Sequence, residues 1–183
     1  MTVERLSFKA ANCSVAATLR IVGEKWTLLV LREAFYGLRR YEDFVEAIGC
    51  ARNILSDRLG KLVEHGLLSR SPYRQEGGRE RLEYRLTAKG RDLFPVLLAL
   101  MQWGDRWLAG RKGVPVIVEH ESCQAAVHAE LRCAAGHGPL TVQDIVAKPG
   151  PGALPSTSSF RVARHNRLRM LQTKTPTLAQ KTR

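Results

Sequence analysis

The stretch "CARNILSDRLGKLVEHGLLSRSPYRQEGGRERLEYRLTAKG", residues 50–90, decides the fold because its hydrophobic period changes partway along it. In the first part Leu55, Leu59 and Leu62 recur at helical spacing, which predicts an amphipathic helix over residues 51–65. In the second part apolar and charged residues alternate, which predicts two strands joined through the Gly-Gly turn, with the hairpin tip at residues 72–82. The stretch therefore predicts a short helix followed at once by a β-hairpin.

The pattern is helical on both sides of this stretch. Upstream, "CSVAATLRIVGEKWTLLVLREAFYG" predicts two helices parted near Gly23, and the broad apolar stripe of the second indicates a buried hub. "RRYEDFVEAI" predicts a third short helix. Downstream, Thr87 suits the N-cap of one long helix through "AKGRDLFPVLLALMQWGDRWLAG", and Pro95 is expected to bend that helix because it lacks a backbone donor.

This order of elements predicts the fold class mainly α (α+β), a winged helix-turn-helix domain with a two-stranded wing. Two short helices joined by a tight turn suit the geometry in which the second helix enters the DNA major groove. The basic hairpin that follows is placed to touch phosphates beside the groove. Helix 51–65 is therefore expected to read base edges, while wing 72–82 contacts the backbone or the minor groove.

The charge of the chain supports a polyanionic partner. The net charge is +12 and the isoelectric point is near 10.1, which favours nucleic acid, an anionic membrane surface or an acidic protein. No apolar run approaches the ~20 residues of a membrane span, and the start of the chain lacks a secretory signal. We therefore expect a cytoplasmic protein that associates with the nucleoid and has no membrane partner. In that compartment its four cysteines are expected to stay thiols.

Composition divides the chain into four predicted regions. They are an N-terminal arm at 1–12, a basic folded domain at 13–112, a small acidic module at 113–147 and a basic flexible tail at 148–183. The tail begins with the linker-like "KPGPGALPSTSS" and contains no acidic residue.

Several spaced motifs together resemble the HxlR family of bacterial winged-helix regulators. They are Cys13, "EKW" at Glu24–Trp26, "RRY" at Arg39–Tyr41, a leucine frame from Leu55 to Leu68, and "YRLTAKG" ending at Gly90. The resemblance covers about residues 13–108. It implies a homodimer on operator DNA, with dimer contacts from the first and last helices of the domain. It also implies a response to an effector, either a reactive small molecule or an oxidant.

Nine residues are expected to contact double-stranded DNA. Within helix 51–65, Asn53 can pair with adenine, and Arg52 with guanine or a phosphate. Arg58 lies nearer the buried stripe, so an ion pair with Glu33 or Glu42 competes with DNA contact as its role. Ala51 departs from the family, which usually has a capping Ser or Thr there. The predicted set is Arg39, Arg40, Arg52, Asn53, Ser56, Asp57, Arg74, Arg79 and Arg81.

Two further groups invite a chemical interpretation. Cys13 occupies a position where some family members carry a sensing thiol, and the alternative is a small buried hydrophobe at the dimer seam. The acidic module resembles a zinc ribbon that has lost a ligand, because Gly136 stands where a C-x-x-C would place its second cysteine. The expectation is no cofactor. The zinc alternative uses His120, Cys123, Cys133 and His137, with His128 in reserve.

Two other classes of function compete with DNA binding. A winged helix can also dock protein, such as the transcription machinery, although a basic wing argues against that alternative. An enzyme would need a nucleophile beside a base, a phosphate-binding glycine loop or a close carboxylate pair, and the sequence offers none of these at recognisable spacing. The chain is therefore expected not to be an enzyme.

Overall fold

The computed structural model describes residues 12–74 and 80–154. These residues belong to two compact units, Cys13–Val142 and a second one formed by Asn12 with residues 143–154. Most of the predicted arm, the tail beyond residue 154 and Arg79 at the wing tip lie outside the described residues. The four predicted regions stay predictions, and residues 113–142 share a compact unit with the preceding domain.

The order of elements confirms the predicted winged helix-turn-helix. The helices and strands are α1 Ser14–Val22, α2 Lys25–Phe35, α3 Tyr41–Ile48, α4 Arg52–Glu64, β1 Leu68–Tyr73, β2 Arg81–Leu86, α5 Ala88–Arg91 and α6 Phe94–Leu108. Among the described residues, no helix is both long and apolar enough to span a membrane.

The core lies between α2, α3 and α4. Val30 and Leu31 of α2 are fully buried, as are Phe44 of α3 and the predicted stripe of α4, which comprises Leu55, Leu59 and Leu62. Burial of these apolar side chains is the main force that fixes α4 against the hub. The opposite face of α4 is consequently left at the surface.

The tight turn between α3 and α4 depends on one glycine. Gly49 ends α3 in the left-handed conformation at φ 67°, which costs glycine little because it has no Cβ. Ala51 then stands at the N-cap of α4 and provides no side-chain cap. Instead, the hydroxyl of Tyr41 donates to the carbonyl oxygen of Arg52 at 2.9 Å, so α3 holds the start of α4 directly.

The wing is an antiparallel pair, with the register running from Leu68 opposite Leu86 to Tyr73 opposite Arg81. A third segment joins it, because the amide of Tyr84 donates to the carbonyl oxygen of Arg39 at 2.7 Å and Arg40 forms a bridge with Glu83. The sequence did not predict this contact, since a two-residue segment is too short to show an alternating pattern. It ties the residues before α3 to the wing.

The prediction of one long bent helix after the wing is wrong. The chain forms the short α5, breaks at Asp92 and Leu93, and begins α6 at Phe94. Pro95 therefore lies in the first turn of α6, where its missing N–H has no intrahelical partner to lose. The cap at Thr87 is as predicted, because its hydroxyl accepts a hydrogen bond from the amide of Gly90 at 3.1 Å.

The C-terminal module, the part of the acidic module at residues 113–142, packs on α6 through the side-chain amide of Gln102. Gln102 of α6 donates to the carbonyl oxygen of Val127 at 2.7 Å and accepts from the amide of Ala129 at 3.0 Å. The side-chain amide thus donates one hydrogen bond and accepts another, in the same way that a backbone peptide group of a neighbouring strand does. The two bonds anchor the acidic segment to the last helix of the domain.

Candidate nucleic-acid interface

The exposed face of α4 carries four of the predicted residues. Arg52, Asn53, Ser56 and Asp57 are all exposed. The helical spacing places Asn53 and Asp57 opposite the buried leucines. Arg52 and Ser56 lie on the flank that faces α3, where the hydroxyl of Tyr41 contacts both residues. The charge of Asp57 is offset by Lys61, whose ammonium lies 3.1 Å from the carboxylate. The face therefore offers a guanidinium, an amide and a hydroxyl at its N-terminal end.

Arg52 is held by residues of α3. Its Nη1 donates to Oε1 of Glu42 at 2.9 Å, and its Nη2 donates to Oε2 at 2.7 Å. This hydrogen bonding lowers the pKa of Glu42 and raises the pKa of Arg52, so both groups stay charged over a wide pH range. From the sequence, Glu42 was predicted as a partner of Arg58, and the pairing of Glu42 with Arg52 was not predicted.

Arg58 forms ion pairs, but with different acids from the two predicted. Its Nη2 lies 3.6 Å from Asp57 and 4.0 Å from Glu24, and its side chain is mostly buried. Glu33 is instead bonded to Arg32, whose Nε donates to it at 2.8 Å. The interpretation of Arg58 as an ion-paired residue fits the structure, while its assignment to Glu33 or Glu42 is wrong.

Basic residues before α3 and on the wing lie close to Glu42, the partner of Arg52. Arg39 and Arg40 precede α3 and are exposed, and the guanidinium of Arg40 lies 5.0 Å from the ring of Tyr73 on the wing. Arg81 is exposed at the start of β2, and Arg74 lies 4.0 Å from Glu80. A groove of about 510 Å³ runs between the start of α3 and the wing, and it brings Arg40, Glu42 and Arg81 to one surface.

The predicted sensing residue, Cys13, occupies the N-cap position of α1 and is half-buried. The backbone carbonyl of Cys13 accepts from the amide of Ala17 at 2.9 Å, as in a regular first turn. The thiol thus lies at the start of the helix that the family resemblance assigns to the dimer contact.

The four residues of the zinc alternative form two separate pairs. Nδ1 of His120 lies 3.2 Å from the sulfur of Cys123, and the sulfur of Cys133 lies 3.4 Å from Nδ1 of His137. Each pair belongs to its own hydrogen-bonded turn, and nowhere in residues 12–74 and 80–154 do three ligand-type side chains gather as a metal site would require. The residues therefore do not fit a tetrahedral zinc site in this arrangement.

Apolar side chains form a stripe along the outer face of α6. Val96, Leu100, Trp103 and Trp107 are spaced by four, three and four residues, and each is between 52% and 62% exposed. On α1, Val15 and Leu19 are one turn apart and similarly exposed. Large apolar side chains seldom line up in water without a partner surface, so these two helix faces are suited to a protein contact.

Comparisons with known proteins agree with this architecture. Residues 21–112 match the family described as HxlR-like helix-turn-helix. An uncharacterised HTH-type transcriptional regulator of Mycobacterium tuberculosis is 43% identical over 152 residues, which are 83% of this chain and 95% of the relative. One of Synechocystis is 36% identical over 116 residues, covering 63% of this chain and 77% of the relative.

Two solved structures are similar over most of the chain. The crystal structure of PA1607, described as a candidate transcription factor, superimposes with a TM-score of 0.68 at 36% identity, covering 76% of this chain and 96% of that one. PA1374 of Pseudomonas aeruginosa, described in the same way, gives a TM-score of 0.53 at 37% identity, covering 77% of this chain and 94% of that one. The chain therefore belongs to the HxlR-like helix-turn-helix family of transcriptional regulators.

Proposed function

We propose that the protein binds operator DNA sequence-specifically as a homodimer, with α4 in the major groove and the wing on the backbone or the minor groove. The observation that carries this proposal is the exposed polar face of α4, next to a groove lined by Arg40 and Arg81 whose Glu42 pairs with Arg52. These arginines would neutralise phosphates while α4 reads base edges. The protein would bind DNA rather than catalyse a reaction, and it would do so in the cytoplasm.

The apolar stripe of α6 supports the homodimer. A second copy presents the same stripe, so two copies would bury their tryptophans against each other around a two-fold axis. The exposed residues of α1 would extend that contact. A symmetric pair would place two α4 helices about 34 Å apart, one turn of the duplex, and would favour a palindromic operator.

Replacing Arg52 with alanine is expected to weaken operator binding more than binding to random DNA. A guanidinium that contacts a base edge contributes about 1–3 kcal/mol of discrimination, so the specificity ratio should fall roughly fivefold to 150-fold. Titration of labelled operator and random duplexes in gel-shift assays at several salt concentrations measures the ratio. An unchanged ratio would remove Arg52 from base recognition.

The matched control for this experiment is Arg81→Ala, which removes the same charge from the wing. If Arg81 contacts phosphate, the change should weaken binding to every sequence alike and reduce the slope of log affinity against log salt by about one. A protein that binds operator and random DNA equally at every salt concentration would contradict sequence-specific binding altogether.

We also propose that an oxidant controls DNA binding through Cys13. The thiol stands at the N-terminus of α1, where helix ends favour a thiolate, and α1 carries part of the proposed dimer surface. Peroxide treatment is expected to lower operator affinity of the wild type by roughly fivefold to 150-fold, the usual range of such coupling. Cys13→Ser should keep its affinity, and Cys50→Ser should respond like the wild type. If peroxide still makes the Cys13→Ser variant release DNA, the thiol of Cys13 is not the sensor.

A further inference from the structure

Glu42 places a negative charge on the surface that is proposed to face DNA. Its carboxylate accepts two hydrogen bonds from Arg52, and Arg81 of the wing adds a weaker attraction that also lowers its pKa. An acid at this place repels phosphates and lowers the affinity for any DNA sequence. Its presence therefore calls for an explanation other than general DNA binding.

Stability does not supply that explanation. The side chains of Glu42 and Arg52 are 60% and 61% exposed, and an ion pair with that much solvent contact contributes little to folding. What the pair does is restrict a long side chain. The ring of Tyr41 lies 5.9 Å from the guanidinium, and its hydroxyl also bonds the backbone of Arg52, so three contacts from α3 hold this one residue.

The guanidinium keeps a second edge for another partner. It has five N–H donors, and Glu42 takes the two that point away from the chain on Nη1 and Nη2. The edge formed by Nε and the other hydrogen of Nη2 forms no hydrogen bond to any residue in the described ranges. Two parallel donors on one edge match the O6 and N7 acceptors that guanine presents in the major groove.

We propose that Glu42 is a positioning residue that fixes Arg52 so that its Nε–Nη2 edge reads a guanine in each half-site. This inference rests on the proposed function and specifies its target, since it requires a guanine opposite the N-terminal end of α4. Holding the side chain in advance reduces the rotamer entropy lost when the base contact forms. The cost is weaker attraction to the DNA backbone, which increases discrimination between sequences.

The test begins with duplexes selected from a random pool by the full-length wild-type protein. Each conserved guanine of the selected site is then replaced by 7-deazaguanine, which lacks the N7 acceptor. For one guanine per half-site, the substitution is expected to weaken wild-type binding about tenfold, within the range of a bidentate base contact. With Glu42→Gln, which has only one acceptor oxygen for Arg52, the same substitution should cost no more than about twofold, because the read-out is already impaired.

Two controls separate positioning from charge. Glu46→Gln removes the same charge one turn further along α3, and Glu46 forms no ion pair within the described ranges, so its 7-deazaguanine penalty should equal that of the wild type. In an Arg52→Ala background, Glu42→Gln should leave the specificity ratio unchanged, because Glu42 acts through Arg52. Circular dichroism of each variant checks that it is folded.

The outcomes separate this inference from the proposed function. If no sequence is enriched from the pool, sequence-specific binding itself fails. If a site is selected but Glu42→Gln keeps the full 7-deazaguanine penalty, Glu42 does not position Arg52 and only the inference fails. An increase in operator affinity with an unchanged penalty would likewise overturn it, since it would mean that Glu42 competes with DNA for Arg52.

Discussion

Trp103→Glu is expected to convert the proposed dimer to a monomer and to abolish tight operator binding. Trp103 lies in the middle of the exposed stripe of α6, between Leu100 and Trp107. Placing one charge from each copy in the centre of a symmetric apolar contact buries two like charges without partners. Central tryptophans of interfaces commonly contribute about 2–4 kcal/mol, so the dimer dissociation constant should rise roughly 30-fold to 1000-fold.

Analytical ultracentrifugation at micromolar concentration measures the change in mass, and gel shifts measure the loss of operator affinity. Trp103→Phe, which keeps an aromatic ring, should remain a dimer. Leu131→Glu introduces the same charge at an exposed apolar residue of the C-terminal module and should also remain a dimer. Trp103 is already 56% exposed within one copy of the chain. The substitution should therefore remove the dimer contact without unfolding the monomer. A dimer that survives Trp103→Glu would assign the contact to another surface.

Periodicity was sufficient to predict the elements around the site. The leucine spacing of α4 predicted both its extent and its buried face, because burial of one face of a helix requires apolar residues three and four apart. The change to alternation predicted β1 and β2, and Gly49 ends α3 at the predicted turn. These features are local, so each is recorded in neighbouring residues.

Contacts between distant residues were harder to predict. Arg52 and Glu42 are ten positions apart on different helices, and no spacing rule distinguishes Glu42 from other acids as the partner. The same reason explains why the acids assigned to Arg58 were wrong. The break before α6 escaped prediction because "DLF" continues an apolar helical pattern, and Pro95 is compatible either with a bend or with a first turn.

The interface shows the same division. The exposed residues of α4 could be predicted because they fall between the leucines of the buried stripe. The wing arginines could be predicted from their charge. The sequence did not reveal that Arg40 joins the wing through Glu83, or that the two Cys–His pairs stay apart in separate turns. Both features depend on how turns close in space, which composition does not record.

Phe44→Ala is expected to cause a larger loss of stability than any of the surface substitutions, and to disorder the DNA-binding surface with it. Phe44 of α3 is fully buried, and its ring meets that of Tyr84 on the wing edge-on, with centroids 6.4 Å apart. Phe44 therefore links the wing to α3, the helix that holds Arg52. Removal of a buried phenylalanine costs about 3–5 kcal/mol, a large share of the ~5–15 kcal/mol that stabilises a typical domain. Urea unfolding should show the loss, and the melting temperature should fall by roughly 6–20 °C. Phe44→Leu refills most of the volume, so its free energy of unfolding should fall much less. Equal losses of stability in the two variants would mean that packing at this position does not couple α3 to the wing.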